Sequence, residues 1–181
     1  MFFIDTIEVS GLGNRSYLAG GAETAVAVDP PRDVDQVIAA AARRGVRISQ
    51  VVETHVHNDY VTGGLELARR SAADYVVNAE DPVHFEREPV RDGDVLTFGQ
   101  MKVTVMSTPG HTVTHLAYFV EDAQGAAAAA VFTGGSLLYG SVGRTDLVDV
   151  DRTDELTRAQ FHSARRLAEL PDQARVFPTH G

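Results

Sequence analysis

Apolar residues fall along this chain in short alternating runs, broken by glycine and proline, before any long helical stripe appears. Phe2 to Val9, Ser16 to Ala19 and Thr24 to Asp29 read as strands, divided by Gly11-Leu12-Gly13-Asn14 and by Gly20-Gly21. An antiparallel start is expected. Asp29-Pro30-Pro31-Arg32-Asp33 closes the third strand, and Asp33 is placed to cap a helix whose apolar positions Val34, Val37, Ile38 and Ala41 keep helical spacing up to Gly45. Ile48 to Val52 is apolar on both faces, and a strand, a crossover helix and a doubly buried strand together predict a sheet covered by helices. A second helix, Gly64 to Arg70, leads to a further parallel strand at Tyr75-Val76-Val77.

From Val95 the two-residue period returns. Val95 to Phe98 and Met101 to Met106 form a predicted hairpin across Gly99-Gln100, and the second strand runs into Ser107-Thr108-Pro109-Gly110-His111-Thr112. Leu116 to Val120 and Ala127 to Phe132 are read as another pair, although the alanines from Ala126 to Ala130 favour helix by intrinsic propensity. Thr133-Gly134-Gly135 ends that strand, and a loop follows through Tyr139, Gly140, Gly143, Arg144, Thr145 and Asp146. Asp151 to Leu170 is the longest helical candidate, with Leu156, Ala159, Phe161, Ala164, Leu167 and Ala168 as its apolar stripe. A short strand, Arg175-Val176-Phe177, precedes Pro178-Thr179-His180-Gly181.

Composition narrows the chemistry. The 181 residues suffice for one domain with a sizeable core. With no cysteine, a disulfide framework, a cysteine-ligated zinc site and a cysteine nucleophile are excluded. A formal charge of −9 argues against a nucleic-acid partner, which needs a dense cationic face. No run approaches the roughly 18–20 apolar residues needed to cross a bilayer, and Met1-Phe2-Phe3-Ile4-Asp5 has no basic leader, so a cytoplasmic protein is the expectation.

The candidate chemistry centres on Glu53-Thr54-His55-Val56-His57-Asn58-Asp59-Tyr60-Val61-Thr62-Gly63-Gly64, where a buried strand gives way to a turn. If the segment stays extended, His55, His57 and Asp59 point to one side, bringing two imidazoles and a carboxylate together for a divalent metal. His111 and His180 also lie just beyond predicted strands, whereas His84 and His162 read as solvated and His115 opens a strand. Strand ends on one edge of such a sheet line a common crevice, so a histidine-rich metal site is expected there.

Thr54-His55-Val56-His57-Asn58-Asp59-Tyr60 resembles the T-H-x-H-x-D-H loop of the metallo-β-lactamase superfamily. Thr108-Pro109-Gly110-His111-Thr112 and Pro178-Thr179-His180-Gly181 resemble its later histidine motifs, in the same order over nearly the whole chain. The resemblance implies an α/β fold of the αββα four-layer sandwich type, with one metallo-β-lactamase-like domain over 1–181. Relatives continue past the final motif with another helix and, in some, a rhodanese sulfur-transfer domain, so a chain shortened at its C-terminal end is expected. Val61-Thr62-Gly63-Gly64, His111 to Tyr118, and Phe132 to Leu138 leading to Gly143-Arg144-Thr145-Asp146 are most similar to persulfide dioxygenases and glyoxalase II-like proteins. The resemblance implies a mononuclear Fe(II) enzyme that oxidises a small thiol persulfide to sulfite. A one-zinc thioester hydrolase and a non-catalytic metal-binding or interaction module are the alternatives.

Two departures bear on the metal. Tyr60 stands where the family has histidine, and Gly135 where it has a bridging aspartate. His57 joining His55 and His111 is one way to complete the set, with Fe(II) preferred and Zn(II) also suited; Asp59 swinging in is another. His55, His57 and His111 are therefore the expected ligands, with Asp59 and His180 as supporting or conditional catalytic groups. Tyr60 is read as a hydrogen-bond donor at the metal or as packing on the next helix. Arg144 is the expected clamp for a substrate carboxylate, against a salt bridge to Asp146 or Asp149, and Tyr139 lines the same pocket. The expected partners are a small thiol or persulfide, a rhodanese partner or fused domain, and a second copy in a homodimer, with no nucleic acid and no membrane.

Overall fold

The strands divide between two sheets, each carrying helices on its outer face. The structure is a computed structural model that describes residues 2–9, 13–57, 60–124 and 129–180. The first half comprises β1 (Phe3–Val9), β2 (Asn14–Gly20), β3 (Thr24–Val28), α1 (Asp35–Arg44), β4 (Arg47–Val52), α2 (Gly64–Ser71), β5 (Asp74–Asn78) and β6 (Glu88–Val90). Its sheet has the order β1-β2-β3-β4-β5-β6, antiparallel through β3 and parallel from β3 onward. The second half contributes β7 (Val95–Phe98), β8 (Met101–Ser107), β9 (Leu116–Asp122), β10 (Ala129–Gly134), the small hairpin β11 (Leu137–Leu138) and β12 (Ser141–Val142), α3 (Thr153–Leu167) and β13 (Arg175–Pro178). Its sheet runs β13-β10-β9-β8-β7, with β13 and β10 parallel.

Strand alternation sorts the apolar residues into layers. Tyr17, Ala19, Val26, Val28, Val52 and Val76 of one sheet face Met101, Val103, Val105, Leu116, Tyr118 and Phe132 of the other. Their neighbours along the same strands turn outward: Ala25, Ala27 and Val51 meet Val37 and Ala41 of α1 and Leu67 of α2, while Ala117, Phe119 and Val131 meet Leu167 of α3. Helix, sheet, sheet, helix is thus the order of layers. Tyr118 and Phe132 are each 1% exposed, and truncating either to alanine would cost about 3–5 kcal/mol.

Two helix details differ from the sequence reading. Asp33 does not cap α1: Val34 occupies the cap position without a side-chain bond, and the Asp33 carboxylate accepts from Gln36 Nε2 at 2.9 Å. Phe161 is 59% exposed, because the face of α3 that docks carries Leu156, Gln160, Ser163 and Leu167, one helical step away. That face is half polar for a reason. Gln160 Nε2 donates to the Ser136 carbonyl at 2.8 Å and Ser163 Oγ to the Pro109 carbonyl at 2.7 Å. The helix therefore pins the two loops that follow β8 and β10. β6, β11 and β12 have no counterpart in the sequence reading, being only two or three residues long.

Candidate metal centre

β3 and β4 run parallel in one sheet, and β8, β10 and β13 run in a common direction in the other. The residues just past their C-terminal ends consequently share one edge of the sandwich: Asp29, Glu53 to His55, Thr108 to His111, Gly135, and Thr179 with His180. Hydrogen bonds cross between the sheets at this edge. Leu116 N–H donates to the Thr54 carbonyl at 2.6 Å, Tyr118 hydroxyl to the Glu53 carbonyl at 2.8 Å, and Arg15 N–H to the Thr179 carbonyl at 2.7 Å.

His55, His111 and His180 present ring nitrogens that all lie within 4.8 Å of one another. Each imidazole is oriented from behind through Nδ1. His111 Nδ1 donates to the Arg144 carbonyl at 3.0 Å, and His180 Nδ1 to Asn14 Oδ1 at 3.1 Å. The His55 Nδ1 lies 2.9 Å from Thr54 Oγ1, whose own proton goes to Asp29 Oδ2 at 2.7 Å, so the hydroxyl oxygen is left to accept from His55. Proton on Nδ1 means lone pair on Nε2. The Nε2 atoms of His55 and His180 are 3.4 Å apart, close to the roughly 3.3 Å edge of a tetrahedron whose bonds are the usual 2.0–2.1 Å of a zinc–imidazole site. Burial, reinforced by the neighbouring imidazoles of His57, His115, His111 and His180, holds the His55 pKa well below the ordinary value, which keeps it neutral as a ligand must be. The donor set fits a divalent ion.

A second group, Asp29, Glu53 and His57, lies directly behind. His57 Nε2 is 3.3 Å from Glu53 Oε2, 3.5 Å from Asp29 Oδ1 and 2.9 Å from the Tyr60 hydroxyl. Burial alone would lower the His57 pKa, but the two carboxylates outweigh it and push it up to about 9. Burial likewise works to raise the Asp29 carboxyl, and the bonds from His57, Thr179 and Thr54 bring it down to about 2. Glu53 is raised, since burial dominates over its bonds from His57 and Thr62. Asp29 accepts from Thr54 N–H at 2.6 Å and also from the Thr179 hydroxyl, so one carboxylate braces the loops before His55 and His180 together.

The residues expected from sequence are distributed as follows. His55 and His111 meet, and the third imidazole beside them is His180. His57 instead turns Nε2 to the acidic pair, although its ring centroid is only 3.9 Å from that of His55. The reason is that β4 ends at Val52, so strict alternation does not extend to residue 57. Asp59 lies outside the described residues. Gly135 packs against the His111 ring, with its N–H donating to His115 Nε2 at 3.0 Å. Arg144 is committed to Asp146 through two bonds of 3.0 and 2.8 Å, and only its backbone carbonyl reaches the site. Tyr139 is 62% exposed and donates to the Val176 carbonyl. His84 and His162 are exposed, while His115 is fully buried, with Thr108 Oγ1 2.8 Å from its Nδ1. Asp29 and Glu53 were not singled out beforehand; their position immediately after two doubly buried strands was the available signal.

Comparison with known proteins agrees with this arrangement. The family model of the metallo-β-lactamase superfamily matches residues 10–180. A hydroxyacylglutathione hydrolase of Rhizobium johnstonii is 32% identical over 157 residues, covering 85% of this chain and 56% of that protein, so the chain spans little more than half the length of this curated relative. The crystal structure of a metallo-beta-lactamase from Staphylococcus aureus superposes with a TM-score of 0.91 at 27% identity, over 99% of this chain and 56% of the other. ETHE1 from Myxococcus xanthus gives a TM-score of 0.84 at 30% identity, over 99% and 76%. No helix among the described residues is long and apolar enough to cross a membrane. With the profile match running through every strand end that carries an imidazole, the chain belongs to the metallo-β-lactamase superfamily.

Proposed function

We propose that this chain is a one-metal enzyme that hydrolyses thioesters of a small thiol. The observation that carries the reading is the convergence of His55, His111 and His180, each with Nδ1 engaged by an oxygen and Nε2 turned inward. An all-imidazole trio suits zinc with an open fourth position, and ferrous iron by ligand type. Tyr60 and Gly135 remove the side chains on which a second metal of this family would rely, which favours a single ion. The relatedness to a hydroxyacylglutathione hydrolase over 85% of the chain supports a thioester substrate.

A divalent ion held here supplies Lewis acidity toward the thioester carbonyl and makes a nucleophile available from water near neutral pH. The protein's share is positional. Asp29, through Thr54, fixes the tautomer of His55; the Arg144 carbonyl and Asn14 do the same for His111 and His180. The Tyr60 hydroxyl, backed at 2.9 Å by the buried His57 Nε2, is the proton donor a departing thiolate would meet. The test is hydrolysis of a hydroxyacylglutathione by protein loaded separately with zinc and with iron. Cleavage that requires one metal equivalent and disappears in His111→Ala is expected; loaded protein that leaves the thioester intact sinks the proposal.

Persulfide oxidation is the second reading, favoured by the Gly143-Arg144-Thr145-Asp146 motif and by the likeness to ETHE1. It asks for a carboxylate beside two histidines, and no described carboxylate joins the trio. Oxygen uptake by iron-loaded protein on adding glutathione persulfide distinguishes it.

A further inference from the structure

A cavity of about 670 Å³ opens beside the centre, within the size range of small-molecule sites. Two of its lining residues connect it to the imidazoles: Asn14, which holds His180, and Tyr60, which contacts His57. Its charged lining residues are Arg32 and Asp33, with Gln36, from the first turn of α1, donating to Asp33 Oδ2 and leaving Oδ1 available. The loop that carries them is stiff and anchored. It contains Pro30 and Pro31, and the Pro30 carbonyl accepts from Gly63 N–H at 3.1 Å and from Thr62 Oγ1 at 3.2 Å. Arg32 is exposed, and its guanidinium makes no ion pair with any described residue, unlike that of Arg144.

Resting on the thioester reading above, we infer that this cavity seats an α-amino acid head group of the substrate, with Arg32 taking its carboxylate and Asp33 its ammonium. A simple anion would meet the Asp33 carboxylate, and a simple cation would meet Arg32. A zwitterion satisfies both and gains the planar bidentate match between guanidinium and carboxylate. Tyr60 then lies between the head group and the reacting sulfur end, and Val61 packs on the stem. Arg32, rather than Arg144, is the specificity-determining cation.

Calorimetric titration with S-methylglutathione, whose thioether is inert and whose γ-glutamyl end is such a head group, tests the assignment without turnover. Metal-loaded wild-type protein should bind it. Arg32→Met should weaken binding roughly tenfold, the size of one charge-assisted contact. Asp33→Asn should weaken it by a similar factor, yet leave unchanged the affinity for N-acetyl-S-methylglutathione, which lacks the ammonium. Wild-type affinity in both variants, or no binding to wild-type protein, overturns the cavity assignment. Binding that responds as described, in protein that cleaves no thioester, overturns the catalytic reading and leaves the head-group site standing.

Discussion

Gly135 and His111 occupy space that admits one side chain: a Cβ on Gly135 would lie 2.2 Å from His111 Cδ2 and 2.6 Å from its Nε2. The missing aspartate is thus a matter of room as well as of identity, since the imidazole stands where that side chain would begin. Gly135→Asp should fail to restore a carboxylate ligand. It should destabilise by about 1–3 kcal/mol, as overpacking does, and lower the midpoint of thermal unfolding by about 2–12 °C for a chain of this size. Differential scanning calorimetry with metal titration checks this; tighter metal binding without loss of stability would contradict it.

Removing His180 and removing His57 should have opposite signatures. His180→Ala takes an imidazole from the trio and should abolish stoichiometric metal. His57→Ala should keep the metal but leave Asp29 and Glu53 buried without their shared cation, a loss of about 3–5 kcal/mol. Metal analysis beside urea denaturation separates them, and loss of metal at wild-type stability in His57→Ala would make His57 a ligand.

Asp29→Asn should act on the centre without touching it. The amide replaces one of the oxygens that receive Thr54 and Thr179, loosening the tautomer of His55. Metal affinity should fall roughly 10–100-fold, the usual effect of losing such a supporting partner. Competition with a chromophoric chelator gives the number.

Arg144→Gln should barely change the Michaelis constant. Its guanidinium is spent on Asp146 at the surface, where solvent screens the pair, and the carbonyl that orients His111 belongs to the backbone. A tenfold rise in KM would return the substrate clamp to Arg144.

Acid sensitivity should include a contribution from Asp92. Partial burial works to raise its pKa, but the Arg166 guanidinium and the Ser107 N–H outweigh this and lower it. A depressed folded pKa means that the unfolded chain binds the proton more readily. The stabilisation is therefore present above the unfolded value of about 3.9 and is lost as pH falls through the lower folded value. Asp92→Asn should lose stability near neutrality and show a shallower acid limb in urea midpoints measured from pH 6 to pH 2. An unchanged limb would mean that the pair is screened by solvent.

Much of the sandwich was legible because alternation is a local property. Met101, Val103 and Val105 face the core, and Leu116 and Tyr118 answer them from the next strand, as the two-residue period requires. The edge carrying His55, His111 and His180 followed from strand ends alone. What failed to show was long-range partnership. Asp29 reads as a turn residue before two prolines, and its importance depends on Thr54 and Thr179, 25 and 150 positions further along. The choice between His57 and His180 depended on how far β4 stays extended, whereas the Arg144–Asp146 pair, only two residues apart, is one of the alternatives the sequence itself offers. Phe161 was misplaced because the docking face of α3 uses Gln160 and Ser163, which a search for apolar stripes passes over.

The span between His55 and His180, 125 positions, has a consequence for biogenesis. A nascent polypeptide cannot bring the three imidazoles together until β13 has left the ribosome and docked alongside β10. Any ion the trio gathers would be gathered only after both sheets have formed, so metal occupancy would report on the folding of both halves at once.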